Sequence, residues 1–87
     1  MKSKQINKLL AQNLRRLRKK IGLTQEGLAE LGRFSYKYLQ EIEAGRVSIT
    51  IKTLSRFSEI LKAHPSAFFQ TVRGNGTTKK NGKAPRS

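Results

Sequence analysis

Apolar residues recur along most of the chain at helical spacing, and the glycines and small polar residues between them mark where each helix starts and stops. Ile6, Leu10, Leu14, Leu17 and Ile21 form one stripe, ended by Gly22, while Arg15, Arg16, Lys19 and Lys20 hold the opposite face. Thr24 is placed to cap a second helix with Leu28, Ala29 and Leu31 inward, and Gly32 closes it. Ser35 opens a third helix, with Leu39 and Ile42 inward and Gly45 as its stop. Thr50 follows Ile49, the pattern of an N-cap preceded by a hydrophobic staple, and Ile51, Leu54, Phe57 and Leu61 make the inner face of a fourth helix. Pro65 is pre-set for the first position of a short fifth helix containing Phe68 and Phe69, and His64 before it reads as a cap. The pattern predicts a compact all-α domain of five helices over residues 5–72, without internal repeats. Residues 73–87, beginning at Arg73, are rich in Gly, Lys and Thr with nothing apolar to bury, and predict a flexible, disordered basic tail.

The second and third helices are short and joined by a Gly-containing turn, which is the outline of a helix-turn-helix. Charge sharpens this. Nineteen Lys and Arg against five acidic residues, all Glu, leave the chain at +14 and imply an anionic partner, nucleic acid first and an acidic membrane surface second. With 87 residues there is room for one small domain, which buries only about 60–65% of its unfolded surface and leaves little for a deep enzymatic pocket. There is no Cys and one His, and the five Glu are scattered singly beside Lys or Arg. Thiol chemistry and a metal-binding carboxylate cluster are therefore not expected, and neither is an enzyme, a cofactor or a metal. Leu9, Leu10 and Ala11 are too short an apolar run for a signal peptide or a membrane span, so a cytoplasmic protein is the default expectation. Together these features predict sequence-specific binding to double-stranded DNA.

Thr24-Gln25 opening helix 2, Leu28-Ala29 within it and Ile42-Glu43-Ala44-Gly45 closing helix 3, together with Leu14, Arg18, Thr50, Leu54 and Phe68-Phe69, resemble the lambda-repressor-like, Cro/C1-type (XRE) helix-turn-helix family over roughly residues 9–69. The stretch Ser48-Ile49-Thr50-Ile51-Lys52-Thr53-Leu54 and the small size are also similar to restriction-modification controller proteins, which are dimeric regulators without a ligand domain. Two positions depart from the family pattern. The turn Gly usually lies one residue later, where this chain has Arg33, and an acidic residue often stands where this chain has Gly27. Gly27 spoils a capping box with Thr24 and costs helix 2 up to about 1 kcal/mol against a good helix former. Arg33 offers a phosphate contact at the turn, or the turn is rearranged.

The resemblance implies that Tyr36, Lys37 and Glu41 read base edges in the major groove, with Tyr38 and Gln40 at the flank of the groove or on the backbone. Lys37 carries a physical hint of its own, because a cation in the first turn of a helix opposes the helix dipole unless an anion sits there. A guanine edge would resolve that conflict; so would an ion pair with Glu41 four residues on. Glu41 itself can accept from a cytosine amino group or hold Lys37 or a neighbouring Arg in place. The tyrosines offer ring faces to a thymine methyl and hydroxyls to phosphate, or one of them packs on the domain. Gln25, in the first turn of helix 2, can reach a phosphate beside free backbone N–H groups, while family precedent also lets it brace the recognition helix. Arg46 and Lys52 flank the loop after helix 3 as backbone contacts, and one or two of Arg15, Arg16, Lys19 and Lys20 are expected to reach phosphate. Arg18 and Glu43 resemble the family's structural ion pair between helix 1 and the end of helix 3.

A transcriptional regulator, such as a repressor, acting as a homodimer on a palindrome follows from these roles, since one recognition helix reads only about four to six base pairs. Phe69 and Val72, at the end of the fold that commonly pairs in the family, are the expected dimer contacts, with Phe68 pointing into the core. Three alternatives compete. A membrane-surface protein would use helix 1, but that helix lacks Trp or Phe at interface positions and needs its apolar stripe for the core. A general nucleic-acid binder of RNA lacks exposed-sheet aromatics and a GXXG clamp. An antitoxin-type regulator would add a toxin or other protein partner, for which the basic tail carries no specific signature.

Overall fold

A computed structural model describes residues 2–71. Four α-helices, α1 (Ser3–Lys20), α2 (Gln25–Gly32), α3 (Tyr36–Glu43) and α4 (Ile51–Leu61), lead to a 3-10 helix over Pro65–Phe69, and no strand occurs among the described residues. The short fifth helix is of the 3-10 kind. The expected basic tail and Val72 lie outside the described residues.

Hydroxyl caps set the helix starts. The side chains of Thr24, Ser35 and Thr50 accept hydrogen bonds from the backbone N–H groups of Gly27, Tyr38 and Thr53 at 2.9, 3.0 and 3.1 Å, satisfying one orphan donor each. His64 Nδ1 does the same for Ser66 at 3.1 Å. The four α-helices also share one kind of stop. Gly22, Arg33, Gly45 and Lys62 adopt left-handed backbone, and the following residue donates back five positions, as Phe34 does to Ala29 O at 2.8 Å. Gly32 therefore does not close α2 as expected. It is the last helical residue, and Arg33 takes the left-handed position (φ 59°) that a glycine would favour. Gly32 is needed for a different reason: a Cβ there would run into the Phe34 ring and lie 3.2 Å from Ile60 Cδ1.

The core gathers Leu10, Leu14 and Leu17 of α1, Leu28 and Ala29 of α2, Leu39 and Ile42 of α3, Leu54, Phe57 and Leu61 of α4, and Phe68. Three residues expected inward are exposed instead. Ile51 is 82% exposed, because two successive steps of three residues turn it about 120° away from Phe57 on a helix of 3.6 residues per turn. Leu31 faces outward because α2 packs on the side of Leu28 and Gly32, from which Leu31 lies about 60–100° away. Ile21 is the C-cap of α1, where the chain has already left the helical path.

Two residues do more than the pattern assigned them. Asn13 is fully buried; its Nδ2 donates to Phe68 O at 2.7 Å and Gln70 O at 2.8 Å, and its Oδ1 accepts from Arg16 Nη2 at 3.1 Å. Arg16 Nη2 also donates to Ala67 O at 3.1 Å, so Arg16 belongs to the seam between α1 and the 3-10 helix and not to a solvated face. Phe34 stacks at 4.9 Å on Phe57 and at 5.9 Å on Tyr38, with the Arg56 guanidinium 4.5 Å from its ring centre.

Candidate nucleic-acid interface

The inner side of α3 is held at its end by one carboxylate. Glu43, whose side chain is 2% exposed, receives Arg18 Nε on Oε2 at 2.7 Å and Arg18 Nη2 on Oε1 at 3.1 Å. Gln25 Nε2 donates to the same Oε1 at 3.0 Å, and Arg15 Nη1 donates to the Glu43 carbonyl at 3.1 Å. Arg18 Nη1 finishes on Leu23 O at 2.7 Å. A buried carboxylate answered this completely ties α1, the α1–α2 connection, α2 and α3 to one point. The Gln25 side chain is thereby committed as a brace between α2 and α3.

The outer side of α3 is open. Tyr36, Lys37 and Gln40 are exposed, and Glu41 is half-buried beside them. They fall on one face, since residues three and four apart on a helix are neighbours. No acidic residue stands in the first turn of α3. The expected alternative of a Lys37–Glu41 pair is not formed: Glu41 Oε2 instead accepts from Arg46 Nη1 at 3.0 Å, and the ion pairs among the described residues are this one and Arg18–Glu43. Tyr38 is half-buried with its ring against Phe34, so it is the tyrosine that packs on the domain. Arg33 and Lys52 project into solvent from the turn before α3 and from the first turn of α4.

At the far end of the fold Phe68 is fully buried and Phe69 is 51% exposed. Among the described residues no three His, Cys, Asp or Glu side chains come together as metal ligands, and no helix is long and apolar enough to cross a membrane. Sequence reasoning overlooked Asn13, Phe34 and the capping role of Arg15. Asn13 had a signal: it falls in phase with Leu10, Leu14 and Leu17 on the apolar face, where a polar residue implies a buried partner.

The HTH_3 family profile, described as helix-turn-helix, matches residues 14–68, from the middle of α1 into the 3-10 helix. The uncharacterized HTH-type transcriptional regulator y4dJ of Sinorhizobium fredii is 39% identical over 56 residues, 64% of this chain and 73% of its own. An HTH_3 family transcriptional regulator from Vibrio cholerae superposes with a TM-score of 0.73 at 37% identity; the match covers 78% of this chain but 38% of that protein. The restriction-modification controller protein C.AhdI from Aeromonas hydrophila is similar with a TM-score of 0.69 and 28% identity, over 72% of this chain and 96% of its own.

Proposed function

Given that the chain belongs to the helix-turn-helix family of DNA-binding transcriptional regulators, Cro/C1 or XRE type, we propose that it reads a palindromic operator as a homodimer, with α3 lying in the major groove. The observation that carries this reading is the division of α3. Its inner side is clamped at Glu43 by Arg18 and Gln25, while its outer side leaves Lys37 in the first turn without a carboxylate partner among the described residues. A cation there opposes the helix dipole and is best satisfied by the electronegative edge of a base. Tyr36 and Lys37 then meet base edges, with Glu41 beside them. Gln40 and the Tyr38 hydroxyl lie at the flank. Arg33, Lys52 and the backbone amides at the start of α2 supply phosphate contacts on either side. The exposed Phe69, with Val72 beyond it, contributes the contact between subunits. The likeness to a restriction-modification controller supports a regulator of that kind, acting on cytoplasmic DNA.

Selection of bound duplexes from a random pool tests this directly. The expected product is a two-fold symmetric motif with half-site centres about 34 Å apart, bound by two chains per duplex in light scattering. A pool that shows no enrichment, with the same affinity for every duplex at every salt concentration, would overturn it.

A further inference from the structure

The pairing of Glu41 with Arg46 bears on specificity. Arg46 is the first residue beyond the left-handed Gly45 (φ 74°), and its backbone N–H donates to Glu41 O at 3.1 Å. The two side chains therefore leave from one closed backbone knot, and the guanidinium folds back along α3 so that Nη1 meets Glu41 Oε2 at 3.0 Å. Glu41 stands one turn after Lys37, so the Arg46 charge is carried onto the same face.

Resting on the reading of α3 as the recognition helix, we infer that Arg46, held by Glu41, reads a guanine edge in the major groove, and that Glu41 is a positioning residue rather than a base contact. Three features of the pair lead there. A bare carboxylate on this face would repel both phosphates and the O6 and N7 acceptors of guanine; paired with Arg46 it is neutralised. Glu41 occupies Nη1 alone, and the Nη2–Nε edge has no partner among the described residues, which leaves two parallel donors for bidentate contact with O6 and N7. The Arg46 side chain is 68% exposed. An ion pair so exposed contributes little to stability, and its consequence is to fix the direction of the fork.

The test uses the full chain and single-base variants of the selected operator. Arg46→Ala and Arg46→Lys should both lose about tenfold or more of the preference for G·C at one base pair of each half-site, leaving preferences elsewhere intact; Lys keeps the charge but not the fork. Glu41→Ala should flatten the same base pair, the double variant Glu41→Ala/Arg46→Ala should be no worse than Arg46→Ala, and Glu41→Gln, which retains an acceptor oxygen, should keep most of the preference. Circular dichroism melting should leave all of these as stable as the parent. A uniform loss across all duplexes with Arg46→Ala, restored by Arg46→Lys, would make Arg46 a phosphate contact and overturn the inference. So would Glu41→Ala relaxing a different base pair from Arg46→Ala. A parent that prefers no duplex would overturn this inference together with the operator reading beneath it.

Discussion

Arg33 holds a left-handed backbone conformation in the turn that leads into α3, where an L-residue is disfavoured by about 1–2 kcal/mol relative to glycine. Its side chain is exposed to solvent, so the position couples a stability cost to a charge proposed to meet phosphate. Arg33→Gly should raise the thermal midpoint by a few degrees, about 0.5–1 kcal/mol after the extra freedom of glycine in the unfolded chain is subtracted. The same variant should weaken binding to every duplex and reduce the salt slope by roughly one unit per subunit. Calorimetry and a salt titration check the two halves separately; a less stable variant would mean that the turn needs the Arg side chain. Lys37 makes the opposite kind of prediction. Lys37→Ala should leave the melting temperature nearly unchanged while discrimination at one base pair of each half-site falls by about 1–3 kcal/mol. Competition binding on single-base variants reads this, and an equal loss on all duplexes would move Lys37 to the phosphate backbone.

At the scale of the elements, the angle of α3 depends on Glu43 more than on any apolar contact. Apolar packing of Leu39 and Ile42 is non-directional, whereas the Arg18 fork on Glu43 and the Gln25 amide fix distance and direction together. Arg18→Ala should lower stability by about 3–5 kcal/mol, because it strands a carboxylate in a site too dry to solvate it. The double variant Arg18→Met/Glu43→Leu should recover much of that loss, since an apolar pair of similar volume removes the stranded charge. Denaturant unfolding measures both. A single variant as stable as the parent would remove the pair from the supports of α3. The double variant also detaches Gln25, so it should remain folded yet bind its operator less selectively.

For the whole molecule, the two adjacent phenylalanines separate folding from the proposed assembly. Phe68 is fully buried under α1, and Phe68→Ala should cost about 3–5 kcal/mol, a large fraction of the stability of a domain of this size. Phe69 is half exposed, so Phe69→Ala should spare the fold and weaken only the proposed dimer and, with it, cooperative binding to the proposed operator. Sedimentation of parent and variant at micromolar concentration distinguishes these outcomes; a parent that stays monomeric, alone and on a palindromic duplex, would remove Phe69 from the assembly. The charge of +14 acts at this scale too, drawing the chain to any duplex at low salt. Any preference among duplexes then rests on the side chains proposed to read base edges, those on α3 and Arg46 beyond its end.

Local signals were strong wherever one residue meets only its near neighbours. Thr24, Ser35 and Thr50 were legible as caps because each closes a bond to a backbone N–H three residues on, and Gly22 and Gly45 were legible as stops because a left-handed residue is needed there. Leu28, Leu39 and Phe57 could be placed inward from periodicity alone. The same periodicity misplaced Leu31 and Ile51, since a stripe written at steps of three drifts around the helix, and only the position of the neighbouring helices decides where burial ends. Gly32 shows the limit most clearly. Its small size was visible, but the reason, a Phe34 ring lying where a Cβ would be, is a contact between side chain and backbone across a turn whose left-handed residue is Arg33. In the candidate interface, the residue types that face outward on α3 could be read from the chain, but their partners could not. A carboxylate such as Glu41 has cations within reach on either side, Lys37 one turn back and Arg46 five residues on. The backbone knot at Gly45 brings the second into contact, and that choice belongs to the tertiary structure.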